Sequence, residues 1–216
     1  MAMEAERAGK CSITSTVLDA LRKEICASAY ADGHFITESE VSQKYQVSKT
    51  PAREALTILC EEKLLCKIPR KGYMVKKLSH KELCKLYQFR NILERASVEY
   101  AVRYADEEEL RHLDVLAGAQ VDTSHPEWIQ EYHRVNSAFH IGLAALTRNN
   151  YLIDALRGVL NILQRDLIED MKYIGVEKTL GEHKCIVDAI RRRDLAGALA
   201  IASQQINIIE RKEHMS

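Results

Sequence analysis

Residues that break regular structure are scarce: three prolines and nine glycines in 216 residues leave few places for turns. Apolar residues recur at three- and four-residue spacing along most of the chain, so a mainly α protein is expected. Cysteine occurs six times, at positions 11, 26, 60, 66, 84 and 185, but never as a C-x-x-C pair, which argues against a zinc ribbon or a thioredoxin-like redox site. No apolar run approaches the roughly 18 residues that span a bilayer, and the opening MAMEAERAGK has no signal-peptide core. The expectation is a cytoplasmic protein with free thiols and no membrane partner. Net charge is missing too, with 31 basic against 31 acidic residues, so any nucleic-acid partner must be argued from where the charges lie.

What is present is enough apolar material, 46% of the residues, for two domains. The first 77 residues carry 13 Lys and Arg against 10 Asp and Glu, and the remainder 18 against 21. The contrast sharpens where Lys44, Lys49, Arg53, Lys63, Lys67, Arg70 and Lys71 share one stretch with only Glu54, Glu61 and Glu62 among them. Such a local cluster is what neutralising DNA phosphates requires, although a solvated helix face can have the same composition.

The pattern around the cluster is more specific. A first helix is expected over about 15–29, ended by the YADGH turn, where Gly33 is free to take a positive φ. Thr37 and Glu40 form a T-x-x-E capping box opening a second helix, which runs to about Tyr45. Ser48 is placed to cap a third, with Pro51 in its first turn where a missing amide hydrogen costs little, and this helix continues to about Glu62. LLCKIPRKGYMVKK then reads as a β-hairpin whose tip carries Arg70 and Lys71 and is made flexible by Gly72.

Helix, helix, tight turn, helix and hairpin is the winged helix-turn-helix order, with Val41, Val47, Ala55, Leu56 and Leu59 predicted to pack between its helices. Lys49, Thr50 and Arg53 then fall at the exposed start of the third helix, the part that meets base edges in the major groove. Arg53 can pair bidentately with guanine, while Lys49 and Thr50 suit phosphates. A trihelical unit with a hairpin also serves as a protein-interaction module, which stands as an alternative.

The domains are placed at 1–78 and 79–216. Ser79 and Glu82 repeat the capping pattern at the second domain's start. Helices follow at about 80–104, 107–119, 126–147, 150–172, 176–192 and 195–213, with Asp106, His125–Pro126 and Asp194 marking starts, so an all-α antiparallel bundle of six or seven helices is expected.

The stretch GHFITESEVSQKYQVSKTPAREALTILCEEKLL, followed by PRKGYMV, resembles the GntR family of bacterial transcriptional regulators. The resemblance implies a homodimer bound to a double-stranded, pseudo-palindromic DNA operator, usually as a repressor. It places Lys49, Thr50, Arg53, Arg70, Lys71 and Gly72 at operator-contacting positions, with Ser48 beside them. His34 stands where an arginine phosphate contact is usual, and Lys63 replaces a usual glycine.

LYQFRNILERASVEYAV, with the R-x-x-L-E element from Arg90 to Glu94, resembles the opening of the FadR-type C-terminal domain, the FCD domain. Many such domains hold a divalent metal, completed by a carboxylate effector. The resemblance implies a site of Asn136 and His140 (NSAFH), His183 (EHKCIVDAI) and, in ALAIASQQI, Gln205 where a third histidine is usual. Two readings stay open: a divalent zinc, nickel or manganese ion on a weakened donor set, or a polar, water-filled pocket with no metal.

An organic or sugar acid effector is expected with either reading, and without metal its carboxylate needs a cation from Arg90, Arg134 or Arg165. His112, His125, His133 and His214 are expected at the surface or as caps, and Trp128 and Tyr132 in the core. A metal-dependent enzyme using His140 and His183 is the rival from another class. No carboxylate has the spacing of a general base there, and no nucleophile elbow or phosphate loop appears.

Overall fold

The computed structural model describes residues 13–206, and for residues 165–174 the backbone only. The chain divides into two compact units, Met1–Lys77 and Leu78–Ser216.

In the first unit, α1 (Ile13–Cys26), β1 (Phe35–Ile36), α2 (Glu38–Tyr45), α3 (Lys49–Glu61), β2 (Leu65–Ile68) and β3 (Gly72–Val75) follow in order. The capping box is made: Glu40 N donates to Thr37 Oγ1 at 3.2 Å, and Thr37 N donates to Glu40 Oε2 at 2.6 Å. Gln46 ends α2 in the left-handed region at φ 54, and Val47 N bonds Ser42 O at 3.0 Å, which makes the tight turn into α3. Apolar residues at helical spacing, Val17, Leu21 and Ile25 from α1 and Ala52, Ala55, Leu56 and Leu59 from α3, close a core with Val41, Leu65, Tyr73 and Val75. Val47 is only half buried against that core.

The wing differs from the expected hairpin in two ways. The sheet is three-stranded, in the order β1-β3-β2, with Phe35 opposite Met74 and Ile68 opposite Gly72. Gly72 is not a loose tip residue but the first residue of β3, at φ 110, and a Cβ there would lie 2.8 Å from Ile36 O. Glycine is therefore required where the two strands approach, and the turn is Pro69-Arg70, closed by Lys71 N bonding Ile68 O at 3.1 Å.

The second unit contains α4 (His80–Tyr104), α5 (Glu107–Ala117), α6 (Trp128–Ala145), α7 (Asn150–Ile174), α8 (Val176–Arg191) and α9 (Leu195–Ile206). Ser79 with Glu82 and Asp106 with Glu109 form capping boxes that start α4 and α5. The main core joins Val98 and Ala101 of α4, Leu110 and Leu113 of α5, Phe139 and Leu143 of α6, Ile186 and Ile190 of α8, and Ala198 and Ala202 of α9. Arg193 ties the chain between α8 and α9 to the end of α4, donating to Val102 O and Ala105 O at 2.7 Å each and to Ala101 O at 3.2 Å. Val102 O lies in the last turn of α4, where carbonyls run out of intrahelical donors, and Ala105 O lies just beyond it, while Ala101 O also accepts from Ala105 N at 3.0 Å.

Candidate functional site

The first constellation opens α3. Ser48 occupies its N-cap position, but contrary to expectation its side chain makes no capping hydrogen bond. Lys49, Thr50 and Arg53 are exposed, while Ala52, Ala55, Leu56 and Leu59 face the core, so the polar first turn is the free side of a buried helix.

Arg53 is held from α2. Its Nε donates to Glu38 Oε1 at 2.8 Å and its Nη2 to Oε2 at 2.9 Å, the fork-to-fork geometry of an arginine–carboxylate pair. Tyr73 Oη donates to the same Oε1 at 3.4 Å. The hydrogen bond from Arg53 holds the Glu38 carboxyl below its usual range, so the pair is ionic at neutral pH. Only two of the guanidinium's five N–H groups are committed to Glu38. The sequence pattern does not mark Glu38, whose signal is a carboxylate at the first residue of α2, directly after the capping Thr37.

In the wing, Arg70 and Lys71 are exposed, and Arg70 takes φ 64 at the third position of its turn, where glycine or asparagine is usual. Lys71 Nζ lies 5.8 Å from the centre of the Phe35 ring. His34 is exposed, its ring 5.3 Å from that of Tyr30.

The second constellation lies inside the helical unit. Along α4, Tyr87, Arg90, Glu94, Val98 and Ala101 follow the buried stripe, so a charged pair at i, i+4 is drawn into the core. Arg90 and Glu94 are each 1% exposed. Arg90 Nε donates to Glu94 Oε1 at 2.6 Å, and Arg90 Nη2 lies 3.0 Å from His140 Nε2 on α6. A guanidinium can only donate, so His140 Nε2 is the acceptor and the ring proton sits on Nδ1. That Nδ1 lies 2.9 Å from Glu94 Oε2, though off the line of a good hydrogen bond.

Burial works against charge on both members of the pair, but each opposes it in the other. Arg90 stays above its ordinary range, and Arg90 with His140 brings Glu94 down to about 2. Burial pushes His140 down, and His183 well below the usual histidine value, so both rings are neutral. His183 stacks on Phe139 with ring centres 4.0 Å apart and meets His140 edge-on at 5.1 Å.

Gln205 of α9 donates through Nε2 to Thr179 O, one turn before His183, at 3.0 Å. Its Oε1 and both ring nitrogens of His183 are buried without a hydrogen-bond partner. Asn136 is buried one turn before His140.

The four predicted metal donors are thus all internal, but His140 Nε2, the lone pair an ion would need, already accepts from Arg90. Among the described residues no three His, Cys, Asp or Glu side chains are grouped so as to hold a metal. The residues present do not fit a resident divalent ion.

His133, expected at the surface, is instead 5% exposed, because it lies one turn before Asn136 on the inner face of α6. Tyr132 is buried with Trp128 packed against its cluster, and His112 and His125 are exposed, as expected. Arg134 is exposed and paired with Glu131, which removes it from the core. The side chain of Arg165, and His214, lie outside the described residues.

Comparison with known proteins supplies the context for both constellations. Residues 13–75 match the family described as bacterial regulatory proteins, gntR family, and residues 85–207 match the FCD domain. The chain belongs to the GntR family.

As a GntR-family chain with an FCD domain it is a DNA-binding transcription regulator, and no helix among the described residues is long and apolar enough to cross a membrane. It is 29% identical to the uncharacterized HTH-type transcriptional regulator YdhC of Bacillus subtilis over 82% of this chain and 80% of that one. It is 23% identical to the gluconate operon transcriptional repressor of the same organism over 89% of this chain and 81% of that one. The solved structure of E. coli McbR/YncC aligns with TM-score 0.74 at 18% identity, covering 96% of this chain and 100% of that one, a likeness of fold.

Proposed function

We propose that this GntR-family regulator, of the FadR-type branch, is a homodimeric repressor that grips a pseudo-palindromic operator and lets go when a small organic or sugar acid binds in its helical domain. The observation that carries the reading is Arg53, exposed in the first turn of α3 and oriented by a two-pronged pair with Glu38. A pre-oriented guanidinium at the start of a recognition helix suits the O6 and N7 edge of guanine. Lys49, Thr50 and the uncommitted Ser48 side chain serve neighbouring phosphates; Arg70, Lys71 and His34 serve the backbone or the adjacent groove. Gly72 acts through strand geometry and not through contact. The repressor named for a gluconate operon supports the sign of regulation and the acid class of effector.

In a two-fold dimer, half-sites are separated by about one or two helical turns of DNA, so an effector that alters the spacing of two recognition helices weakens many contacts together. Footprinting on the DNA flanking the chain's own gene tests the reading, with fluorescence anisotropy on the protected fragment. Wild type should discriminate that fragment from scrambled DNA, and Arg53→Ala should lose roughly tenfold or more of the discrimination at a single guanine in each half-site. Unchanged discrimination in the variant overturns the role given to Arg53. The metal-enzyme alternative has no observation in its favour, since the Nε2 lone pair of His140 is taken by Arg90 and Glu94 lies 2.9 Å from its other nitrogen.

A further inference from the structure

We infer that the FCD domain of this chain is a metal-free sensor core, in which the buried guanidinium of Arg90 fills the role of the resident cation. The inference deepens the effector reading above and rests on it for the word sensor, but its central claim concerns the protein alone.

Three observations converge. Arg90 Nη2 donates at 3.0 Å to His140 Nε2, so the imidazole nitrogen an ion would use is already an acceptor. Release of that nitrogen requires moving a guanidinium that is also bonded to Glu94 at 2.6 Å, with both side chains 2% exposed. A divalent ion set beside this buried guanidinium would be repelled by its positive charge more strongly than in bulk water, because the interior screens charge less.

The donor chemistry agrees. With the Nε2 lone pair of His140 taken by Arg90, His183 is the imidazole of the predicted site whose lone pair is still open, and the other two donors are the amides Asn136 and Gln205. Glu94 is the carboxylate of the cluster and faces Arg90 on one oxygen and His140 on the other. A borderline divalent ion is held by imidazole, thiolate and carboxylate, and one imidazole with two neutral amides is a poor set. Gln205 is further tied, its amide nitrogen donating to Thr179 O.

The atoms of the predicted site left without a hydrogen-bond partner are Gln205 Oε1, the protonated Nδ1 of His140 and the two nitrogens of His183, the last pair one donor and one acceptor in a neutral ring. Water or a hydroxyl-bearing ligand satisfies that set by hydrogen bonding, with Arg90 as the positive group for an acid. The core thus combines a fixed cation with exchangeable hydrogen bonds, and needs no ion to complete it.

The test uses the full chain purified without chelator from medium supplemented with zinc, nickel and manganese. Elemental analysis should find far less than one ion per chain, and the melting temperature should be the same in excess EDTA as in excess zinc chloride. Gln205→His alone, which adds an imidazole but leaves Arg90 on His140, should gain no tight zinc binding. Gln205→His combined with Arg90→Gln should bind zinc about tenfold or more tighter than Gln205→His alone, the scale on which neighbours of metal ligands act.

About one ion per chain in the wild type, or a melting temperature lowered by EDTA in the wild type but not in His183→Ala, overturns the inference. If the double variant does not fold, the wild-type measurements decide. None of them requires an effector, so failure of the metal-free core and failure of the effector reading are told apart. In the first, the wild type holds an ion; in the second, no acid releases DNA from a protein that holds none.

Discussion

Acid should loosen the helical domain before it protonates carboxylates, and His133 sets the size of the effect. Burial alone drives its pKa from 6.5 down to about 4, with no charged partner to restore it. Between those two values the unfolded chain binds a proton that the native one refuses, so stability falls as pH drops below about 6.5 and stops falling near 4. Each unit in that window is worth about 1.4 kcal/mol, and moving from pH 7.5 to 5.0 crosses about 1.5 units of it, giving about 2 kcal/mol for His133 alone. His140 and His183 are shifted in the same direction and steepen the loss. Glu94, depressed to about 2 by Arg90 and His140 against burial, contributes stability that is present above pH 4.5 and lost below it, outside this range.

The assay is urea unfolding at pH 7.5, 6.5 and 5.0, followed by the single tryptophan. Trp128 packs against the Tyr132, Val135, Val176 and Leu180 cluster and so reports on the helical unit. In His133→Gln the loss between pH 7.5 and 5.0 should shrink by about 2 kcal/mol relative to wild type, whatever the variant costs at pH 7.5. Parallel pH profiles for the two proteins would refute the claim that His133 is held neutral.

Other consequences follow from single contacts. Glu38→Gln should leave binding to non-specific DNA equal or stronger, since a negative charge is lost from the DNA-facing side, while discrimination at the guanine read by Arg53 falls by roughly tenfold; anisotropy with matched and mismatched fragments separates the two effects. Lys71→Ala should weaken binding evenly across sequences and reduce the slope of log affinity against log salt by about 1. Arg193→Ala removes the cap on the end of α4 and should destabilise the helical unit by about 1–2 kcal/mol in urea melts at constant pH, the range for charge-assisted hydrogen bonds at a partly exposed site. Arg70→Gly should relieve a left-handed φ of 64 and raise stability by up to about 1 kcal/mol while lowering operator affinity. Equal affinity in that variant would make Arg70 a turn residue without a DNA role.

Local chemistry was legible in the sequence and burial of polar groups was not. Thr37 with Glu40 and Ser79 with Glu82 announce their helices because a capping box is a contact within four residues. β1 was missed because two residues, Phe35 and Ile36, are too few to display a period of two, and its partner β3 lies far along the chain. The predicted DNA-facing residues of α3 follow from which side of the helix is apolar. Arg90 and His133 ran against composition, since arginine and histidine usually reach solvent. Their positions still carried a clue: Arg90 sits in the stripe of Tyr87, Val98 and Ala101, and His133 shares a face with Asn136 and His140. What the stripe does not state is that Glu94 and His140 neutralise the arginine across two helices, which is a property of packing.

The two constellations use one chemical unit, an arginine gripped by a glutamate, in opposite surroundings. Arg53 is solvent-exposed, where water and salt compete with Glu38 and such pairs contribute little to stability, so a guanine edge or a phosphate could use the donors that Glu38 leaves over at little cost while Glu38 still orients the group. Arg90 and Glu94 are sealed at 2% exposure, where separating a buried pair costs about 3–5 kcal/mol because one charge is left unmatched. The proposed acid effector would therefore gain nothing by displacing Glu94 and would instead add to the pair, through the guanidinium donors that Glu94 leaves over and the open nitrogens of His183. The same residue types thus give an accessible arginine at the start of α3, suited to the reading role proposed for it, and a fixed charge in the core, and the dielectric around each decides which.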